Sequence, residues 1–304
     1  MGFSLGSFLR SCPGAIAQGI IYGIMAMGVI VTYRILNYSD LTVDSSFCTG
    51  GAVTATLITA GVSPVVSLMC AFAAGLVAGT VTGLLHTALK IPAILSGIMT
   101  QLALYSINLR IMGKPNVTLL NTELLISLRN IPRAILIGGI FALSVIAGMY
   151  LFFGTEIGCS IRATGSNEKM ASAQGINTSF NKVLALSVSN GITALAGGLI
   201  AQYQGYCDIN MGRGAIVIAL ASIIIGEAIF SKVIETSKVS FAVRLFSAVF
   251  GASVYYIVIT AVLQAGLNTS DLKLFSAAVV AVVLSLPHLK TVKKGKVKSD
   301  AQPE

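Results

Sequence analysis

The 304-residue chain is 55% hydrophobic and only 10% charged, with a mean hydropathy of +0.87. Soluble domains carry about one quarter charged residues, so a water-soluble globular protein is excluded. The formal net charge of +9 needs no nucleic acid to explain it, because basic loops and the tail KTVKKGKVK are what anionic lipid and the positive-inside bias produce.

Asp, Glu, Lys and Arg are missing from 11–33, 45–89, 91–109, 134–155, 183–207, 245–270 and 274–289. About 20 apolar helical residues cross a hydrocarbon core of about 30 Å. The pattern predicts nine segments, at 12–34, 42–60, 64–89, 91–110, 133–154, 183–203, 214–231, 241–265 and 273–289. They must be helices, since backbone groups in lipid are paired within the segment and ten-residue alternating strands are absent.

The first segment is too long for a signal peptide, no small-residue cleavage site follows it, and it carries Gly19 and Gly23 at GxxxG spacing. The second opens with NYSDLTVDSSF, residues 37–47. If 40–60 is helical, Asp40 and Asp44 stand on one face near its start. Two readings are open there: carboxylates complementing a helix N-terminus, or Thr42, Asp44 and Ser45 lining a polar cavity at the end of a broken helix. Gly61-Val-Ser-Pro64 divides the second segment from the third, where Gly75, Gly79 and Gly83 predict close helix packing. The fourth carries Ser96, Thr100, Gln101 and Asn108, and the sixth Ser187, Ser189, Asn190 and Thr193. Such groups either bond across helices or line a pathway. Glu227, late in the seventh, is expected to meet a base such as Lys232.

The polar connection 155–182 interrupts this pattern. A short helix is expected over 166–175, with Ser166 as cap, Glu168 in the first turn and Gly175 as stop. About two turns cannot stand alone, so the helix must pack on something. Met170, Ala171 and Ala173 offer an apolar surface, and Arg162, Asn167, Lys169 and Gln174 a polar rim.

With a cytosolic C-terminus, the inner side collects Arg34, Lys90, Arg162, Lys169, Lys182, Lys232, Lys238, Arg244 and the tail lysines, a majority of the 20 basic residues. Odd parity then puts the N-terminus outside. Loop 110–133 runs against the rule, with Arg110, Lys114, Arg129 and Arg133 on the outer side. Cys12, Cys48, Cys70, Cys159 and Cys207 form no CxxC pair and read as small hydrophobes. His86 and His288 lack a visible ligand partner and read as interface packing. No GxxxxGK[ST] or HExxH occurs, so neither catalysis nor a nucleotide site of the chain's own is expected. A motorless helical membrane protein with a docking-size polar helix is suited to an external ATPase.

The stretches GIIYGIMAMGVIVTYRILNYSDLTVDSSF, IRATGSNEKMASAQGIN, LALSVSNGITALAGGLIAQYQG and MGRGAIVIALASIIIGE resemble the permease subunits of bacterial ABC importers of the branched-chain amino acid and simple-sugar type. The similarity is strongest to amino-acid permeases, some linked to tryptophan or tyrosine uptake, and spans about residues 14–289. The family pattern has a small residue where Arg213 stands and glycine where Ser45 stands.

The resemblance implies an all-α, polytopic fold of the type II importer kind in the bacterial plasma membrane, with about nine transmembrane or half-membrane helices and two copies paired around a central path. Residues 1–289 would form one permease domain and 290–304 a basic cytosolic tail. It also implies a cytosolic ATPase carrying ATP and Mg²⁺, gripping a coupling helix through Arg162, Gly165, Asn167, Glu168, Ala171 and Gly175. An extracellular solute-binding lipoprotein would dock on the outer loops, with 110–133 as landing surface. The path residues expected are Thr42, Asp44, Ser45, Thr100, Gln101 and Asn190. An importer subunit for a small polar solute, an amino acid, is the reading. Its rivals are a secondary transporter or channel using Asp40, Asp44 or Glu227 as ion ligands, and a membrane-embedded enzyme, which no nucleophile and base pairing supports.

Overall fold

The computed structural model describes residues 5–119, 122–236 and 240–264, together with the isolated positions 274, 277 and 278. Eight of the predicted segments are helices: α1 (Leu5–Ile30), α2 (Val43–Thr59), α3 (Pro64–Thr87), α4 (Ala93–Met112), α5 (Ile131–Gly154), α8 (Thr178–Gln204), α9 (Ala215–Thr236) and α10 (Ser240–Gln264). Between α5 and α8 lie the short helices α6 (Glu156–Ser166) and α7 (Glu168–Ala173). The segment expected at 273–289 and the tail lie outside the described residues. Five helices are long and apolar enough to cross a membrane: α1 with its extension to Ile35, α3, α5, α8 and α10. α9 has a shorter apolar run, 215–231, and α2 is only 17 residues long.

Boundaries follow local chemistry. α1 loosens into a π turn over Val31–Ile35, and Asn37 takes a left-handed φ of 53° that no helix continues through. Gly61 (φ 87°) ends the α2 side of the break, and Pro64 opens α3 at its first turn, where a missing N–H costs nothing. Gly113 and Gly205 cap α4 and α8 in the left-handed region.

α1 and α8 form the interior. Their most apolar windows are 78% and 72% buried, against 17% for α5 at the rim. α3 and α2 lie on α8, α10 lies on α1 and α9, and α5 flanks α1. The glycine spacings work as expected. Gly75, Gly79 and Gly83 face the backbone of α8 at Asn190, Leu186 and Val183, while Gly19 and Gly23 meet Ser253 and Val249 of α10. A Cβ at Gly83 would sit 2.7 Å from the Val183 Cα. Gly79→Val is therefore expected to destabilise the fold by about 3 kcal/mol through overpacking against a backbone that cannot give. Gly139→Val, where a Cβ meets nothing within 4 Å, should be neutral. Thermal unfolding in detergent compares the two, and equal melting temperatures would refute the close-packing account.

One end of the bundle carries a feature absent from the sequence expectations, a two-stranded antiparallel ribbon of β1 (Asn116–Thr118) and β2 (Tyr206–Asp208), with Val117 opposite Cys207. Leu119 N–H donates to Gly205 O (2.8 Å) and Leu128 N–H to Tyr203 O (3.1 Å). The fully buried Gln202 side chain accepts from Leu125 N–H. The connection after α4 is thus tied to the end of α8, with Arg110, Lys114, Arg129 and Arg133 exposed on that side.

Candidate functional site

At the opposite end, α5 turns into the polar connection. The short helix expected over 166–175 is α7, preceded by an additional helix, α6; the two meet at Asn167, because Ser166 completes the last turn of α6 and cannot also cap. Asn167 is extended (φ −154°) and its side chain accepts from Met170 N–H, capping α7. Thr155 caps α6 and Asn177 caps α8 in the same way. Gly175 provides the left-handed stop (φ 80°).

The pair is fastened from beneath. Asn181 of α8, 3% exposed, donates to Ser160 Oγ (2.5 Å) and Thr164 Oγ1 (2.9 Å) of α6. Arg162 donates to Phe153 O (2.6 Å) at the end of α5, and Lys182 pairs with Glu168 (2.6 Å). Gly165 lies directly on the π turn, where any Cβ would overlap the Ile35 carbonyl oxygen. Ala171 is buried and points inward, whereas Lys169, Met170, Ala173 and Gln174 are exposed, Met170 at 63%. Beside α6 a cavity of about 970 Å³ is lined by Arg34, Arg162 and Arg244 among others. Glu227, expected to meet Lys232, pairs with Arg34 of the π turn and with Arg244 of α10 (3.6 Å). The Lys232 side chain lies outside the described residues.

Deeper in the bundle two helices begin head to head. After β2 the chain runs back along α2, with Cys48 Sγ bonded to Ile209 O and Gly212 packed on the Asp44 carbonyl, and α9 starts where α2 starts. Asp44 joins the two: Oδ2 accepts from Gly214 N–H and Oδ1 from Ile216 N–H, both at 2.9 Å. Its carboxylate lies in the first turn of its own helix and binds the free N–H groups of the other, so both macrodipoles favour the charge. Beside it is a cavity of about 440 Å³ lined by Asp44, Ser45 and Cys48 of α2, Gln101, Tyr105 and Asn108 of α4, and Gly212 and Arg213.

A model of a family described as branched-chain amino acid transport system / permease component matches residues 13–285. The chain belongs to this permease family. It is 38% identical over 272 residues to a tyrosine transport system permease protein of Clostridioides difficile, covering 90% of each chain. It is also 31% identical to an autoinducer 2 import system permease protein, LsrC, of Yersinia pseudotuberculosis over 177 residues, 56% of this chain and 48% of that one. Among solved structures, PsaBC from Streptococcus pneumoniae in complex with Fab has the same fold, with a TM-score of 0.52 over 92% of this chain and 95% of that one at 14% identity.

The permease brings together only part of the set expected to line its path. Asp44, Ser45 and Gln101 line the 440 Å³ cavity, as does Arg213. Thr42, Thr100 and Asn190 are instead buried between helices. Thr42 Oγ1 meets Thr82 Oγ1 of α3 (2.9 Å), Thr100 bonds back to Ser96 O (3.0 Å), and Asn190 donates to Asp40 (2.7 Å). Asp40 and Asp44 do not share a helical face, because Asp40 binds Thr42 N–H (2.9 Å) in an extended segment that ends where α2 begins at Val43. Asn108, on the face with Ser96 and Thr100, reaches the cavity one turn beyond Leu104, and its Oδ1 has no partner. His86 bonds Ile91 O (2.8 Å) and stacks edge-on with Tyr38, an interface role.

Proposed function

We propose that this permease is the membrane-spanning subunit of an ATP-driven importer for an amino acid, working as a pair with a second copy in the bacterial plasma membrane. The observation that carries the reading is α7, a six-residue helix held by a cap, an ion pair and the buried Ala171, with its outer face left exposed. A helix that short is stable only when packed, and the packing supplied here orders it without covering it. A separate cytosolic ATPase, holding ATP and Mg²⁺, seats on Lys169, Met170, Ala173 and Gln174. An extracellular solute-binding lipoprotein docks on the ribbon end over the basic residues of 110–133. The C-terminal tail is then cytosolic. Closure of two ATPases on ATP draws the docked helices together, the path between the two permeases changes the side to which it opens, and hydrolysis resets it. The amino-acid class follows the tyrosine named for the Clostridioides difficile relative.

Ion-coupled transport without an ATPase is disfavoured by the occupation of its candidate carboxylates. Asp40 and Glu227 are engaged in internal bonds that an ion would have to displace. Met170→Glu tests the docking reading. Co-purification with the ATPase and ATP-driven uptake in proteoliposomes should fall at least about tenfold, the effect of about 1.4 kcal/mol, with the melting temperature unchanged. Wild-type co-purification and uptake would refute it.

A further inference from the structure

Arg213 is a cation with no acid within ion-pair distance among the described residues, and it is exposed to the 440 Å³ cavity. The facing wall is the middle of α4. Gln101, Leu102 and Tyr105 lie about halfway along its 20 residues, and an ionisable side chain without a partner inside a membrane protein marks a candidate functional site. Asp44 lines the same space. Each of its oxygens takes one backbone N–H, which leaves each with capacity for another donor. Asn108, 1% exposed, lines the same cavity, and its buried Oδ1 has no hydrogen-bond partner among the described residues. Between these groups Leu102 and Tyr105 expose apolar surface. The volume falls within the range of about 300–1,000 Å³ typical of small-molecule sites.

We propose that this cavity is a selective waypoint for a zwitterionic amino acid. Arg213 receives the carboxylate as a bidentate partner, the Asp44 carboxylate receives the ammonium group, and Leu102 and Tyr105 cover the side chain. The inference rests on the reading of the chain as an amino-acid permease. It adds that selection continues inside the membrane instead of ending at the binding protein. Only a ligand carrying both charges satisfies the Arg213 cation and the Asp44 carboxylate together. An amine or an acid alone leaves one side unpaired, and that is the physical basis of discrimination.

The test uses the full-length permease in detergent, without ATPase or binding protein. Its melting temperature is followed against the common L-amino acids, tyramine and 3-(4-hydroxyphenyl)propionate. At least one amino acid should raise the melting temperature, while the two single-charge analogues at equal concentration should not. Arg213→Gln should weaken that response at least tenfold and Arg213→Lys should retain most of it. Arg213 bonds nothing through its side chain among the described residues, so both variants should fold. No shift with any amino acid, an equal shift with tyramine, or a wild-type response from Arg213→Gln would overturn the proposal. ATP-driven uptake by the wild-type permease with its ATPase and binding protein separates the two levels. Uptake of an amino acid with no binding to the permease alone removes only the waypoint. Absence of any amino-acid uptake removes the parent reading.

Discussion

Asp44→Ala is expected to destabilise the permease by about 3 kcal/mol and to abolish uptake. The substitution strips the acceptors from the exposed Gly214 N–H and the part-buried Ile216 N–H, and a buried donor left unpaired costs about 1–3 kcal/mol. It also removes the charge that, among the described residues, the starts of α2 and α9 share. Asp44→Asn should cost about half as much, since one amide oxygen still accepts while the NH₂ group faces a second donor. Denaturation in detergent–SDS mixtures measures the loss. Near-wild-type stability of Asp44→Ala would show that the two helix starts are held by packing alone. If Asp44→Asn keeps most of the stability yet loses transport, the negative charge itself serves the path.

Gly165→Val is expected to cut ATP-driven uptake at least tenfold while the assembled complex still hydrolyses ATP. Its side chain would overlap the Ile35 carbonyl oxygen, so α6 must lift off the π turn. That turn is also where Arg34 leaves to meet Glu227 of α9, and α9 in turn begins on Asp44. A continuous series of contacts therefore runs from α6 to the cavity wall, and Gly165 is its first joint. Such continuity becomes evidence of coupling only when mutants show it. Size-exclusion elution at the wild-type position excludes misfolding, and undiminished uptake would remove Gly165 from the transmission route.

What the sequence could reveal depended on the range of each signal. The helices were legible because charge is excluded from lipid over stretches of about 20 residues, and that signal survives ignorance of the fold. The Gly75, Gly79 and Gly83 seam was legible for a similar reason, as periodic loss of side chains has few uses other than close approach. The cap of α7 was misplaced by one residue because Ser166 and Asn167 are both good cap formers, and the choice fell to tertiary contacts holding α6 through Gly165 and Asn181. The start of α2 was placed within one residue, at 42 against Val43, but Asp40 and Asp44 share no helical face because Asp40 bonds Thr42 and Asn190 ahead of the helix. Three-residue strands 90 positions apart, and a carboxylate whose partners stand 170 and 172 residues away, leave no local trace. The polar clusters on α4 and α8 were visible as clusters, but nothing in their spacing separated Gln101, on the cavity, from Thr100, turned into the packing.

The glycine seams also apportion mechanical compliance. Where α3 meets α8 and α1 meets α10, backbone rests on backbone with no long side chains between to re-pack, so these pairs can move only as solid pieces. α5 has no such seam: Gly139, Gly148 and Gly154 face open space. It is the rim helix, and it leads directly into α6. A pull on α7 thus meets a rigid block on one side and a pliant strut on the other, and the strut is the part of the permease shaped to yield first.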